Sequence, residues 1–188
     1  MNLKSSFKEL FSVVISEVLK KPILITVILL TPLFNIFGLP FLSLIGILVI
    51  EKFAINPFNT GIIVSVEGLG AFIGGVLISA FPPIRKQLFF CLTLFLLFVF
   101  ISSIAISTNL VLLVILLFFA GFVTSSYSAL QSSIVYLYSN PSLRSSTFSL
   151  LTIAIGSGAI GTLNISFMSG NFSTQLLTLI MGLEGIIF

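Results

Sequence analysis

The sequence predicts an all-α integral membrane bundle of six transmembrane helices behind an amphipathic surface helix. Three observations predict it: composition, long apolar runs closed by turn chemistry, and one-sided placement of basic residues. Hydrophobic residues make up 57% of the 188 residues and charged residues only 7%, and mean hydropathy is +1.29. A soluble globular chain carries about 25% charged residues, because polar surface must cover its core. This composition calls for lipid as the solvent. The net charge of +3 forms no basic block, so it carries orientation information and gives no nucleic-acid footprint.

A helix needs about 20 apolar residues to cross a hydrocarbon core of about 30 Å. Six stretches meet or approach that length: 22–50, 58–81, 88–107, 110–138, 147–168 and 172–188. Pro22 and Pro57 suit a first helical turn, where a missing N–H matters little. Pro82-Pro83 ends the second stretch, and Asn140-Pro141 separates the fourth from the fifth. The runs lack period-two alternation and are too long for strands. Residues 22–188 are therefore expected to form one transmembrane domain.

Residues 1–21 read differently. Leu3, Phe7, Leu10, Phe11, Val14 and Val18 recur at helical spacing among Lys4, Lys8, Glu9, Glu17, Lys20 and Lys21. The segment has no continuous apolar centre followed by a small-residue cleavage site, and no arginine. An amphipathic helix on the cytoplasmic membrane surface fits it.

Basic residues near span ends set orientation. Lys4, Lys8, Lys20, Lys21, Arg85, Lys86 and Arg144 fall on one side, and Lys52 alone on the other. Both termini are expected to be cytoplasmic, in a multi-pass protein of the cell membrane.

The spans differ in character. Residues 88–101 make a greasy helix that can face lipid on every side. Pro32 and Pro40 remove backbone hydrogen bonds within the first span, which is expected to be kinked or interrupted near Asn35 and Gly38. The fourth and fifth are polar on one side, through Thr124, Ser125, Ser128, Gln131, Ser132, Thr152, Ser157 and Asn164. Gly68-Leu69-Gly70-Ala71 with Gly74 in the second span has a short echo in Gly156-Ser157-Gly158-Ala159 with Gly161 in the fifth. These are the middle members of two successive triplets that cross in opposite directions, the pattern of inverted three-helix repeats.

At this point a family comes into view. The surface helix ending at Lys20-Lys21-Pro22 resembles the central cytoplasmic loop that enters the seventh helix of major facilitator proteins. Asn56 to Ser79 is similar to the eighth helix of their drug and siderophore exporters. Gly75-Val76-Leu77 through Arg85-Lys86 resembles a decayed form of the family's glycine–leucine–aspartate–arginine loop, with Ser79 and Ala80 near the place of its acid. Pro141, Arg144 and the glycines to Gly161 resemble the junction of the tenth and eleventh helices, with Ser145 where a glycine is common. The flavour is that of macrolide-efflux and enterobactin-exporter carriers, of which this chain resembles the carboxy-terminal half. The resemblance implies half of a major facilitator fold and small-molecule efflux by alternating access with proton coupling. It also implies a second six-helix half, either another copy or a separately encoded chain.

Candidate residues follow from polarity inside lipid. There is no histidine and a single cysteine, Cys91, so no internal disulfide forms and the commonest metal ligand is missing. No metal, no cofactor and no catalytic set is expected, and an enzyme is not. Glu67 lies near the middle of the second span, where a charge costs on the order of 3 kcal/mol. It is the candidate for proton or ion coupling; a neutral acid bonded to a neighbouring helix is the structural alternative. Glu184 is expected to reach the interface. Asn35, Gln131 and Asn164 are candidates for a substrate cavity, or for interhelical hydrogen bonds. Arg85, Lys86 and Arg144 are candidates for orientation and a cytoplasmic gate. Gly70 and Gly74, and Gly158 and Thr162, give small faces for close helix packing. A non-transporting remnant, or an accessory subunit that assembles with another membrane protein, remains the alternative to a carrier.

The charge pattern makes a direct prediction about sidedness. With Cys91 replaced, an impermeant thiol reagent added outside cells labels a cysteine at Asn109 or Asn171 and spares one at Ser142. The reverse pattern overturns the orientation.

Overall fold

A computed structural model describes residues 3–187, with side chains from Phe11 onward. In chain order it contains α1 (Leu3–Leu19), α2 (Pro22–Leu33), a π-helical segment (Phe34–Gly38), α3 (Phe41–Phe53), α4 (Pro57–Ala80), α5 (Lys86–Ile106), α6 (Leu110–Tyr138), α7 (Arg144–Ile155), α8 (Gly158–Met168) and α9 (Thr174–Ile187). Five helical runs are long and apolar enough to cross a membrane: Pro22–Phe53, Pro57–Ala80, Lys86–Ile106, Leu110–Tyr138 and Arg144–Met168. The protein is therefore a multi-pass α-helical membrane protein. The remaining apolar helix, α9, has 14 residues, a rise of about 21 Å against a core of about 30 Å.

Local chemistry sets the helix ends. Pro22 opens α2 and Pro57 opens α4. The Asn56 side chain accepts the Asn59 N–H at 2.9 Å, and the Asn109 side chain accepts the Val111 N–H at 2.8 Å. Each satisfies a donor that the first turn leaves free. Carbonyls at the other ends are met by lysines from elsewhere in the chain. Lys21 Nζ donates to the Tyr138 carbonyl at 2.8 Å and Lys52 Nζ to that of Ala105 at 2.7 Å. Cations there also suit the helix dipole.

The first span is interrupted without being broken. Around Pro40 the chain widens into the π segment, and the Leu39 N–H donates to the Phe34 carbonyl, five residues back, at 2.9 Å. Pro40 has no N–H, so it can bond neither Ile36 in an α pattern nor Asn35 in a π pattern. Helix α8 lies against those two carbonyls. A Cβ on Gly158 would sit 3.6 Å from the Asn35 carbonyl oxygen, and one on Gly161 would collide with that of Ile36. Glycine allows the approach because nothing projects from its Cα. Helix α8 is itself half of an interrupted span, separated from α7 at Gly156-Ser157.

Glycine makes two further close contacts. Between α4 and α6, a Cβ on Gly70 would collide with the Phe118 carbonyl, one on Gly74 with that of Phe122, and one on Gly121 with that of Glu67. Both partners ascend together, so α4 and α6 run parallel. Between α5 and α9, a Cβ on Gly182 would strike Ser102, and one on Gly185 the Phe98 ring. Extensive contact joins α4 to α6, α5 to α6 and α5 to α9.

Hydropathy did not distinguish lipid from protein interior. The greasy 88–101 stretch could face lipid on every side; in the structure α5 buries Phe90, Leu94, Leu97, Phe98 and Ile101 in the bundle and leaves Leu88, Phe89, Leu92 and Phe95 exposed. The acid-bearing α4 is instead the least buried span. Lipid tails are as apolar as leucine, so an apolar helix has no preference between them and a protein neighbour. At the amino terminus, α1 buries Val14 and Val18 while Phe11, Val13 and Leu19 stay exposed. The expected amphipathic residues Leu3 to Leu10 lie outside the described side chains.

The α4–α6 contact yields a prediction. Gly121→Leu forces the backbones apart and destabilises the bundle by about 1–3 kcal/mol. Gly68→Leu, at a position with nothing within 4 Å, changes stability little. Unfolding in detergent micelles measures both, and equal losses would show that α4 and α6 do not depend on this contact.

Candidate functional site

A buried polar cluster lies where the π segment meets α6. Thr31, Asn35, Tyr127 and Gln131 are all buried there. Gln131 Nε2 donates to Thr31 Oγ1 at 2.6 Å, and Thr31 Oγ1 donates to the Val27 carbonyl at 2.7 Å. Asn35 Nδ2 donates to the Thr31 carbonyl at 2.8 Å. The Tyr127 hydroxyl donates to the Leu30 carbonyl at 3.3 Å, and its ring stacks between Phe34 and Phe90 at centroid distances of 4.7 and 4.5 Å. The cluster ties the first span to the fourth in a medium where an unpaired polar group costs several kcal/mol.

The sequence-derived candidates are distributed as follows. Asn35 and Gln131 come together through Thr31, inside the core and bonded within the chain. Asn164 is half-buried on α8, away from those bonds. Tyr127 and Thr31 were missed by sequence reasoning. A tyrosine amid the apolar residues of 110–138 was the available signal, since a buried tyrosine needs a partner for its hydroxyl.

Glu67 sits on the α4 face that meets α6. Its own carbonyl receives Gly121, while its half-buried carboxyl has no hydrogen-bond or ion-pair partner among the described residues. Several exposed hydroxyls on α6, α7 and α8 behave otherwise. Those of Ser128, Ser149, Thr152, Thr162 and Ser166 donate to carbonyls four residues back in their own helices. Such hydroxyls are satisfied in lipid without a partner. Glu184 has Oε2 buried and without a hydrogen-bond partner.

The basic candidates gather at one end of the bundle. Arg85 and Lys86 open α5, Arg144 opens α7, and Lys21 precedes α2. The Arg144 guanidinium lies 4.0 Å from the centroid of the Tyr136 ring, a cation–π contact. Its Nε is buried without a hydrogen-bond partner. Lys21 Nζ pairs with Glu17 at 2.8 Å. That hydrogen bond, with the charges of Lys21 and Lys20, holds the Glu17 carboxyl below its ordinary value of 4.5. The folded value is depressed, so the pair's contribution is present above that ordinary value and is lost as pH falls through the lowered one.

No protein-family model, no curated protein and no solved structure matches the chain.

The cluster makes a graded prediction. Tyr127→Ala removes a ring stacked on both faces and destabilises by about 3–5 kcal/mol, as for other large core aromatics. Gln131→Leu removes one interhelical hydrogen bond, worth about 0.6 and at most about 1.7 kcal/mol in a membrane. Unfolding in micelles gives the order. A larger loss from Gln131→Leu would show that hydrogen bonding, and not ring packing, joins the two spans.

Proposed function

We propose that this chain is one half of a major facilitator-type secondary carrier: an efflux carrier of a small molecule, working by alternating access with proton coupling at Glu67. In this reading α9 is the sixth crossing, shorter than the others, and both termini are cytoplasmic.

The observation that carries the reading is the pattern of glycine contacts between spans. The second span packs on the fourth through Gly70, Gly74 and Gly121. The fifth packs on the first through Gly158 and Gly161, and the third on the sixth through Gly182 and Gly185. Exchanging the first three spans for the last three turns the first of these pairs into the second and leaves the third unchanged. Two inverted three-helix repeats would have this property. The short sequence echo falls on the same positions, since Gly70 and Gly158 each lie against a neighbouring carbonyl. Interrupted spans that meet at their breaks are also a feature of carriers, where irregular backbone is tolerated only against protein or water.

Glu67 is the coupling candidate because its carboxyl has no partner among the described residues and lies mid-span, whereas Glu184, also without a hydrogen-bond partner, lies near the end of α9. Arg85, Lys86 and Arg144 would then belong to the cytoplasmic gate. Asn35 and Gln131 would reach substrate only if their cluster opened, whereas Asn164 is free to do so. Major facilitator carriers rock two six-helix halves about a central site, so these residues would need a second half to move substrate.

The alternative of a non-transporting membrane module is favoured by one observation: the Thr31–Asn35–Gln131 cluster closes within this chain and asks for no second half. Proton-gradient-driven transport in vesicles decides between the readings. The carrier reading expects movement only when these residues are joined by a second half, and expects Glu67→Gln to abolish it while the protein still inserts. Unchanged coupling in Glu67→Gln reduces Glu67 to a packing residue. No movement with any partner half favours the module.

A further inference from the structure

At the basic end of the bundle a groove of about 720 Å³ opens between the starts of α2 and α5 and the end of α6. Its walls change character with depth. Arg85 and Lys86 stand at the mouth, and Ile23, Leu88 and Cys91 line the part that runs down into the membrane. We propose that this groove binds an anionic phospholipid, with the phosphate held by Arg85 and Lys86 and an acyl chain lying along Ile23, Leu88 and Cys91.

Charge complementarity names the occupant. The Glu17 carboxylate at this end is already paired with Lys21. Lys21 is further engaged by the Tyr138 carbonyl. Gln87, beside the basic pair, donates to Thr26 Oγ1 at 2.9 Å. Arg85 has no partner among the described residues, and the one bond of Lys86, to the Pro83 carbonyl, is long at 3.4 Å. Arg85 and Lys86 thus line the groove with their donors largely free, Lys86 standing also beside a second cavity against α4 and α6, and basic pockets between spans are suited to anionic head groups.

Position selects a lipid over a soluble anion. Ile84, next to Arg85, is fully exposed, and Leu88 and Leu92 are also exposed on the outer side of α5. In a bilayer those side chains meet acyl chains, so the groove opens sideways to lipid as well as upward to water. A phospholipid matches both halves of the wall at once; a soluble phosphate matches only the mouth. The inference rests on the membrane embedding of α2, α5 and α6, and is independent of whether the protein is a carrier.

The chain contains no tryptophan, so Leu92→Trp provides a single emitter one turn from Leu88. The protein is reconstituted in phosphatidylcholine, and quenching by brominated phosphatidylglycerol is compared with quenching by brominated phosphatidylcholine. The expected result is a preference for phosphatidylglycerol on the order of fivefold per basic residue. Arg85→Gln and Lys86→Gln each reduce it several-fold, and the exchange Arg85→Lys with Lys86→Arg retains it. Excess inorganic phosphate leaves it in place. Equal quenching by the two lipids in the unmutated groove overturns the proposal, whether or not the variants insert. So does loss of the preference on adding phosphate, which would assign the groove to a soluble anion.

Discussion

The fold depends on helices approaching until their backbones touch. Inside a bilayer no hydrophobic force draws one helix to another, because lipid already solvates the apolar side chains. What remains is dispersion at short range and polar contact between backbones. Gly70, Gly74 and Gly121 bring α4 and α6 to that distance, Gly158 and Gly161 do so for α8 and the π segment, and Gly182 and Gly185 do so for α9 and α5. In each pair the atom met is a carbonyl oxygen, a neighbouring serine or an aromatic ring. Where Cα–H groups face carbonyls, weak hydrogen bonds add to the packing.

The proline-containing first span is tolerable for the same reason. Pro40 leaves carbonyls that its own helix cannot bond, and in lipid such groups are expensive. Gly158 and Gly161 carry α8 close enough to cover them. The side chain of Asn35 then bonds the Thr31 carbonyl one turn earlier, and Gln131 bonds the Thr31 hydroxyl. A local defect in one helix is thus held by two others, and the polar cluster lies beside it because the exposed backbone and the polar side chains are protected by the same packing.

Much of this was legible in sequence, and the illegible part has a physical cause. Apolar runs and prolines located the first five spans to within a few residues, since lipid thickness and missing N–H groups act locally. The interruption at Pro32 and Pro40 was visible for the same reason, although its π form was not. Gly70 and Gly74 announced close packing by their spacing. Gly182 and Gly185 did not, because their role depends on which neighbour they meet. Neighbour choice was the information that hydropathy lacked: α5 is apolar on every side, yet one side is core and the other is exposed. Asn35 and Gln131 were singled out as polar residues, but only tertiary structure shows them sharing Thr31.

Helix α4 holds these constraints in tension. It makes the closest of the backbone contacts and yet is the least buried of the spans. A narrow glycine seam accounts for both facts: the seam needs only the face bearing Gly70 and Gly74, and leaves Phe58, Ile62, Leu69 and Phe72 exposed. Glu67 lies on the seam, and its carbonyl is one of the surfaces that Gly121 touches. Its backbone is therefore fixed by packing, while its carboxyl is met by no group of the described chain. Hydroxyls such as those of Ser126 and Ser128 bond carbonyls of their own helix, the Asn35 amide bonds the Thr31 carbonyl one turn back, and the Gln131 amide reaches across to the Thr31 hydroxyl. Thr60, Ser139, Arg144 and Glu184 also bury polar atoms without a hydrogen-bond partner, but Glu67 is the acid that lies mid-span on a backbone fixed by packing, where a charge is most costly.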